Sequence, residues 1–380
     1  MEKNTCRILE WMSATLTNEP VADISEDEWP VFSRAALSHN LTNILFPVIH
    51  KTVQYKPDEI YSLWKSRLLQ ETLYRLNTVY KIDEIVQSFK ENNLQLIIIK
   101  GPALARLYNP NQCRSMGDLD ILVRSDETDR AKKLLESMGY SYQEDEDEGE
   151  HPVHWAYTRL GGLYVELHRT LLNPMFLGKR STQRWMKSIW DNSRISNYEG
   201  IEFRALSAED ELINQILHLA THLVYGSAKI KNIYDIALLI KSNNSDLNWC
   251  YVNEILSELR LSVFSKLIFR ICNKYLASEI PDYLLMSGNN MKKHISPEEF
   301  LERFIFLTDK VNLKGWRVIS WEHPYLCKHQ ALMPLILIIE FYFEMKKSGG
   351  KLKDSINNSI NNTKNFSYTG RSLKRLGLSI

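Results

Sequence analysis

Apolar residues recur at three- and four-residue spacing along much of the chain and give way to short continuous apolar runs near its middle. The segments "WPVFSRAALSHNLTNILFPVIH" and "IYSLWKSRLLQETLYRLNTVYKIDEIVQSFKENN" carry the helical period, which predicts helices through residues 1–90. The pattern changes after Asn92-Asn93. "LQLIIIK" (94–100) predicts a strand, "GPALARLY" a short helix closed by "NPNQ", and "DLDILVR" (118–124) a second strand. Ser125, followed by Asp126 and Glu127, starts a helix well; Ala131, Leu134, Leu135 and Met138 give it one apolar face, and Gly139 ends it. "YSYQ", "HWAYTRL" and "LYVELHRTL" predict strands, the last two joined at Gly161-Gly162 as a hairpin. Residues 173–200 show no defined period, and "IEFRAL" reads as an edge strand. From Ser207 the helical period returns, including a segment at 329–347.

These patterns predict an α+β fold: a small mixed-sheet core at 91–205 between an N-terminal helical region (1–90) and a C-terminal one (206–349), with a basic polar tail at 350–380. Composition is that of an ordinary globular chain, 44% hydrophobic and 24% charged with net charge +1, so no global field argues for nucleic acid or membrane. The five cysteines (Cys6, Cys113, Cys250, Cys272, Cys327) are scattered without CxxC spacing, which fits a reducing, cytoplasmic setting. The N-terminus lacks a basic-then-apolar signal design. The most apolar run, "LMPLILIIEFYF" from Leu332 to Phe343, is short for a bilayer span and reads as a buried helix. The last 30 residues hold six Lys/Arg against Asp354 alone, a solvated terminus.

One strand breaks its own pattern. Asp118 and Asp120 project to the same side of "DLDILV", at the mouth of what is otherwise a buried sheet. Two bare carboxylates side by side repel, so one takes up a proton or a cation. Glu166 is a third isolated charge, between Val165 and Leu167. If its strand lies beside the first, three carboxylates converge on a hard-oxygen site suited to Mg²⁺, with Mn²⁺ as the alternative. Two such ions are a common device for in-line displacement at phosphorus. Gly101 and Pro102 then read as a turn that lets backbone approach a ligand, followed by a helix start with free N–H groups for phosphate.

The stretch "IIIKGPALARLYNPNQCRSMGDLDILV", followed by "LYVELHRTL", resembles the nucleotidyltransferase superfamily typified by DNA polymerase beta, and more closely a bacterial group of uncharacterised nucleotidyltransferases. That group shows an LKG-x-A-L-A turn, an R-P-M-S-D-I-D-L-L-V strand and a V-D/E-L-H segment; the strong motifs cover about residues 97–168. The resemblance implies that Asp118 and Asp120 hold both metal ions, that Glu166 completes the catalytic-metal site, and that Gly101 meets the nucleotide phosphates. It makes Arg114 either a phosphate contact or a brace for the loop. Pro102 stands where the superfamily has Ser, which removes a hydroxyl and an N–H donor, and the gap from Gly101 to Asp118 is longer than in its tightest pattern.

Other residues carry two readings each. His168 shares a face with Glu166 and either contacts phosphate or is structural; Lys100 reaches phosphate or caps the strand. His218 and His222, one helical turn apart, suit a metal but lack a third ligand, which favours a packed face. His323, Cys327 and His329 match no zinc spacing, and the acidic "EDEDEGE" reads as a solvated loop. Asp235 either touches nucleotide or pairs with Lys229 or Lys231, the pairing being favoured. Tyr225, Tyr234, Trp155, Trp185 and Trp190 read as core aromatics before base-stacking platforms. The expected activity is Mg²⁺-dependent transfer of an NMP group from an NTP to an unidentified hydroxyl-type acceptor (small molecule, protein or RNA), with release of pyrophosphate. The alternatives are a non-catalytic nucleotide-binding descendant, favoured by Pro102, and a toxin-like enzyme acting on tRNA or protein, which the weak basic footprint disfavours.

Overall fold

The computed structural model describes residues 3–143, 154–171, 180–224, 228–243, 245–285 and 296–306. The acidic loop, Tyr225, the His323/Cys327/His329 group, the helix expected at 329–347 and the basic tail lie outside these residues. Four helices come first: α1 (Lys3–Thr17), α2 (Trp29–Ser38), α3 (Thr42–Thr52) and α4 (Asp58–Glu91). Asp58 and Glu59 in the first turn of α4 and Lys90 in its last complement the helix dipole.

The α/β unit follows as β1 (Ile97–Ile98), α5 (Pro102–Ala105), β2 (Asp118–Leu122), α6 (Thr128–Ser137), β3 (Ser141–Gln143), β4 (His154–Thr158), β5 (Tyr164–His168), α7 (Arg180–Asn192), β6 (Arg194–Tyr198) and β7 (Ile201–Ala205). Its strands form one mixed seven-stranded sheet in the order β3-β4-β5-β2-β1-β7-β6. Strand β2 runs parallel to β5 and antiparallel to β1. Helices α8 (Ala208–Val224), α9 (Ile230–Asn243), α10 (Trp249–Glu258), α11 (Ser262–Tyr275), α12 (Asp282–Leu285) and α13 (Pro297–Phe300) complete the described chain, the last running into a π-helical turn at Leu301–Phe306.

Both faces of the sheet are covered, which explains why its central strands read as continuous apolar runs. Ile98, Leu119, Ile121, Val165 and Leu167 point to one face and pack with Ile85 and Phe89 of α4 and Leu135 of α6. Ile97, Ile99 and Leu122 point the other way, into the larger core shared with α1, α3, α8, α9 and α11. Asp118, Asp120, Glu166 and His168 occupy this second face by strand alternation.

Three expectations change. Strand β7, expected at the edge, pairs with both β1 and β6, and β6 is the edge. That hairpin turns on Glu199 and Gly200, both at positive φ, as a two-residue loop with right-handed strand twist requires. Helix α6 starts at Thr128 with Glu127 in the capping position, so the Ser125 cap is not formed. The helix expected at "GPALARLY" is a single turn, Pro102–Ala105.

Candidate active site

The parallel register sets Asp120 directly opposite Glu166. One oxygen each from Asp118, Asp120 and Glu166 lies within 4.8 Å of the others. Asp120 is fully buried, and its Oδ1 accepts a 2.8 Å hydrogen bond from Lys100 Nζ and lies 3.1 Å from His168 Nε2. Its Oδ2 is buried with no hydrogen-bond partner. A buried carboxylate oxygen without a donor costs free energy unless something else satisfies it. His168 Nε2 also lies 3.3 Å from Glu166 Oε2.

Electrostatics follow from this crowding. Burial alone would push the Asp120 carboxyl up, but Lys100 and His168 outweigh it and hold the group well below the usual range. Asp118, at the exposed rim, is raised to about 6 by the surrounding protein and by the charge on Asp120. Burial disfavours charged His168, yet its contacts to Asp120 and Glu166 prevail and lift it to about 9. Lys100 is raised as well, because the three acids offset its burial. Negative charge is thus concentrated at one point and balanced by two cations held against it.

Gly101 adopts φ 56° and ψ −109°, a conformation other residues take up at a cost. A β-carbon there would meet Asp118 O at 3.6 Å and Met116 Sδ at 3.7 Å, ordinary contacts, so the backbone angle and not space calls for glycine. The free amides expected after it are not free. Ala103 N donates to Lys100 O, and Leu104 N and Ala105 N donate to Gly101 O, within a turn that Pro102 opens without a donor.

Arg114 serves as the loop's brace. Its guanidinium grips Asp235 on α9 with two bonds, Nε to Oδ1 at 3.1 Å and Nη2 to Oδ2 at 2.9 Å, and Tyr108 donates to the same carboxylate at 2.6 Å. The expected pairing of Asp235 with Lys229 or Lys231 is therefore corrected: its hydrogen-bonded ion-pair partner is Arg114, brought across from the loop before β2. Lys231 Nζ instead donates to Ser115 O at 3.1 Å, and burial with the neighbouring Arg114 lowers its ammonium to about 8. His218 and His222 face one another, Nε2 to Nε2 at 2.6 Å, and burial lowers both. Among the described residues no cluster of three ligands includes them.

The aromatic candidates are engaged elsewhere. Trp185 is buried and donates to Asp210; Trp190 packs under Arg124; Trp155 lies under Lys132; Tyr234 is buried with its hydroxyl 2.8 Å from that of Thr15. What the sequence pattern did not disclose is a cleft of about 590 Å³ between α4 and the loop leading to Asp118, lined by Asn43, Arg67, Glu71, Tyr74, Ser115 and Gly117 among others. Burial raises the Glu71 carboxyl at its wall. A helix that reads only as amphipathic gives no sign of which polar residues will face a ligand.

A carboxylate trio on a mixed sheet beside a glycine turn is an arrangement suited to divalent cations, as in enzymes of nucleotidyl transfer. Residues 25–277, about two-thirds of the chain, match the model of the uncharacterised nucleotidyltransferase family, and the chain belongs to that family. No curated protein matches it. Among solved structures, the antibiotic-resistance factor ANT(2'')-Ia in solution is similar at 18% identity over 48% of this chain and 90% of its own, with a TM-score of 0.35. The same protein in complex with adenylyl-2''-tobramycin gives 18% identity over 50% and 97%, with a TM-score of 0.34. A nucleotidyltransferase-like protein from Paracoccidioides brasiliensis gives 19% over 54% and 93%, with a TM-score of 0.32. Among the described residues no helix is long and apolar enough to cross a membrane.

Proposed function

We propose that the chain transfers an NMP group from an NTP to a hydroxyl-type acceptor and releases pyrophosphate, with Mg²⁺ as its cofactor. The observation that carries this reading is that an oxygen from each of Asp118, Asp120 and Glu166 lies within 4.8 Å of the others, while Asp120 Oδ2 is buried without a hydrogen-bond partner. Carboxylate oxygens suit Mg²⁺, and the orphaned Oδ2 is the atom such an ion would satisfy. Asp118 and Asp120 would hold two ions and Glu166 the catalytic one; when bound, the ions neutralise charge on the phosphates and on the attacking and leaving oxygens. The acceptor oxygen forms a bond to the α-phosphorus as the bond to the bridging oxygen of pyrophosphate breaks, and Glu166 favours loss of the hydroxyl proton. Lys100 and His168 hold Asp120 ionised and supply positive charge beside the phosphates. Gly101 permits the turn that lets them approach, and Arg114 fixes the loop through Asp235. The cleft along α4, walled by residues of the N-terminal helical region and by the loop before Asp118, would receive the substrate's non-phosphate portion, and the cysteine pattern supports a cytoplasmic setting. The test is incubation with α-labelled NTPs, Mg²⁺ and a whole-cell extract: label is expected in RNA, protein or a small molecule, and its retention by the Asp118→Asn/Asp120→Asn variant would refute the reading.

A second reading is favoured by the α5 turn, where Pro102 and the internally bonded amides leave few donors for phosphate. In it the chain binds nucleotide without turning it over. Calorimetry with NTP and Mg²⁺ separates the two, since tight binding without pyrophosphate release under any acceptor supports the second.

A further inference from the structure

Glu166 belongs to two clusters. Besides the acid trio, its carboxylate forms a group with His154 and His168 in which one ligand atom from each lies within 4.8 Å of the others. The strands build this group. His154 on β4 sits opposite His168 on β5, and Ala156 sits opposite Glu166, so the small methyl leaves room for the His154 ring to reach the carboxylate. The two imidazoles lie with ring centroids 5.0 Å apart, His168 buried and His154 partly so.

One edge of this group has the spacing of a coordination shell and the other is a few tenths of an ångström longer. His168 Nε2 to Glu166 Oε2 is 3.3 Å, and His154 Nε2 to Glu166 Oε1 is 3.9 Å. A tetrahedral ion with bonds of about 2.0–2.2 Å separates its ligands by roughly 3.3–3.6 Å, so the His168 edge already fits and the His154 edge closes slightly on binding. His168 Nε2 faces both Glu166 and Asp120 at 3.3 and 3.1 Å, and one ring N–H serves two acceptors poorly at those lengths. Imidazole nitrogen distinguishes this group from the acid trio. Carboxylate sets suit Mg²⁺, whereas two imidazoles with one carboxylate suit zinc-like transition ions.

We propose that His154, Glu166 and His168 form a second cation site, selective for a borderline divalent ion of the zinc type and joined to the acid trio through the two oxygens of Glu166. His154 lies outside the trio and the transfer reading gives it no part, whereas His168 must give up its proton to the ion.

The test uses the full chain without nucleotide and Co²⁺ as the probe, read by the visible d–d absorption of a tetrahedral ion. One equivalent of Co²⁺ is expected to bind wild type and Asp118→Asn alike, to be displaced by Zn²⁺, and to persist in a large excess of Mg²⁺. His154→Ala is expected to weaken Co²⁺ by more than the roughly tenfold that losing even a supporting group costs, with an unchanged circular dichroism spectrum. Should that variant fold poorly, His154→Asn supplies the same comparison. Unchanged Co²⁺ affinity in a folded His154 variant, or ready displacement by Mg²⁺, overturns the site. Because neither result depends on NTP, its failure leaves the transfer reading untouched, and failure of transfer leaves the site standing.

Discussion

The two faces of the β2–β5 pair share one backbone and differ in every other respect. On one face Leu119, Ile121, Val165 and Leu167 are all at or below 1% exposed and interlock with α4 and α6. On the other, Asp118, Asp120 and Glu166 stand one residue away and hold like charges together, with His168 against them. The apolar face fixes the strands so that the polar face cannot relax by moving apart. Concentrated charge of this kind conflicts with local folding preference, and such conflicts are expected where a site is built.

The largest expected effect strikes the polar face alone. Asp118→Asn/Asp120→Asn should abolish NMP transfer by about 10³-fold or more, measured as pyrophosphate release, while the circular dichroism spectrum is kept. Next comes the brace: Asp235→Ala leaves the buried Arg114 guanidinium unpaired and should cost about 3–5 kcal/mol in urea denaturation. Leu167→Ala strikes the apolar face, and a cost of about 2–5 kcal/mol is expected, with transfer retained at temperatures where the variant is folded.

The smallest effects come from titrating Asp118. Its carboxyl, raised to about 6, must be ionised to hold a cation, so Mg²⁺ affinity should be level above that pH and fall about tenfold per unit below it. The same shift has a sign for stability. A raised carboxyl binds more protons folded than unfolded, so this group's contribution to the metal-free protein declines as pH rises from 3.8 to about 6. Asp118→Asn should therefore melt slightly above wild type at pH 7.

The trio was legible because strand alternation is a local rule: "DLDILV" and "LYVELHRTL" each show a charge where the period calls for an apolar residue. The β4–β5 hairpin and α6 were legible for the same reason. Strand β6 was not, since "RISNY" is an edge strand with alternating exposure and polar Ser196 and Asn197, and only Gly200 marked its turn. Nor was the Arg114–Asp235 pair, which spans 121 residues and joins a loop to a helix. The start of α5 was legible from Pro102, and "GPALARLY" reads as a short helix, but nothing in the stretch gave its length of a single turn. Partners chosen by tertiary approach leave no periodic trace.

The most direct measurement is calorimetric titration of the full chain with an NTP, with and without Mg²⁺, for wild type and the Asp118→Asn/Asp120→Asn variant. Wild type should bind NTP strongly only when Mg²⁺ is present, and the variant should lose that dependence together with the affinity. Equal Mg²⁺-dependent binding by the two proteins would contradict the assignment of the acid trio as the cation site.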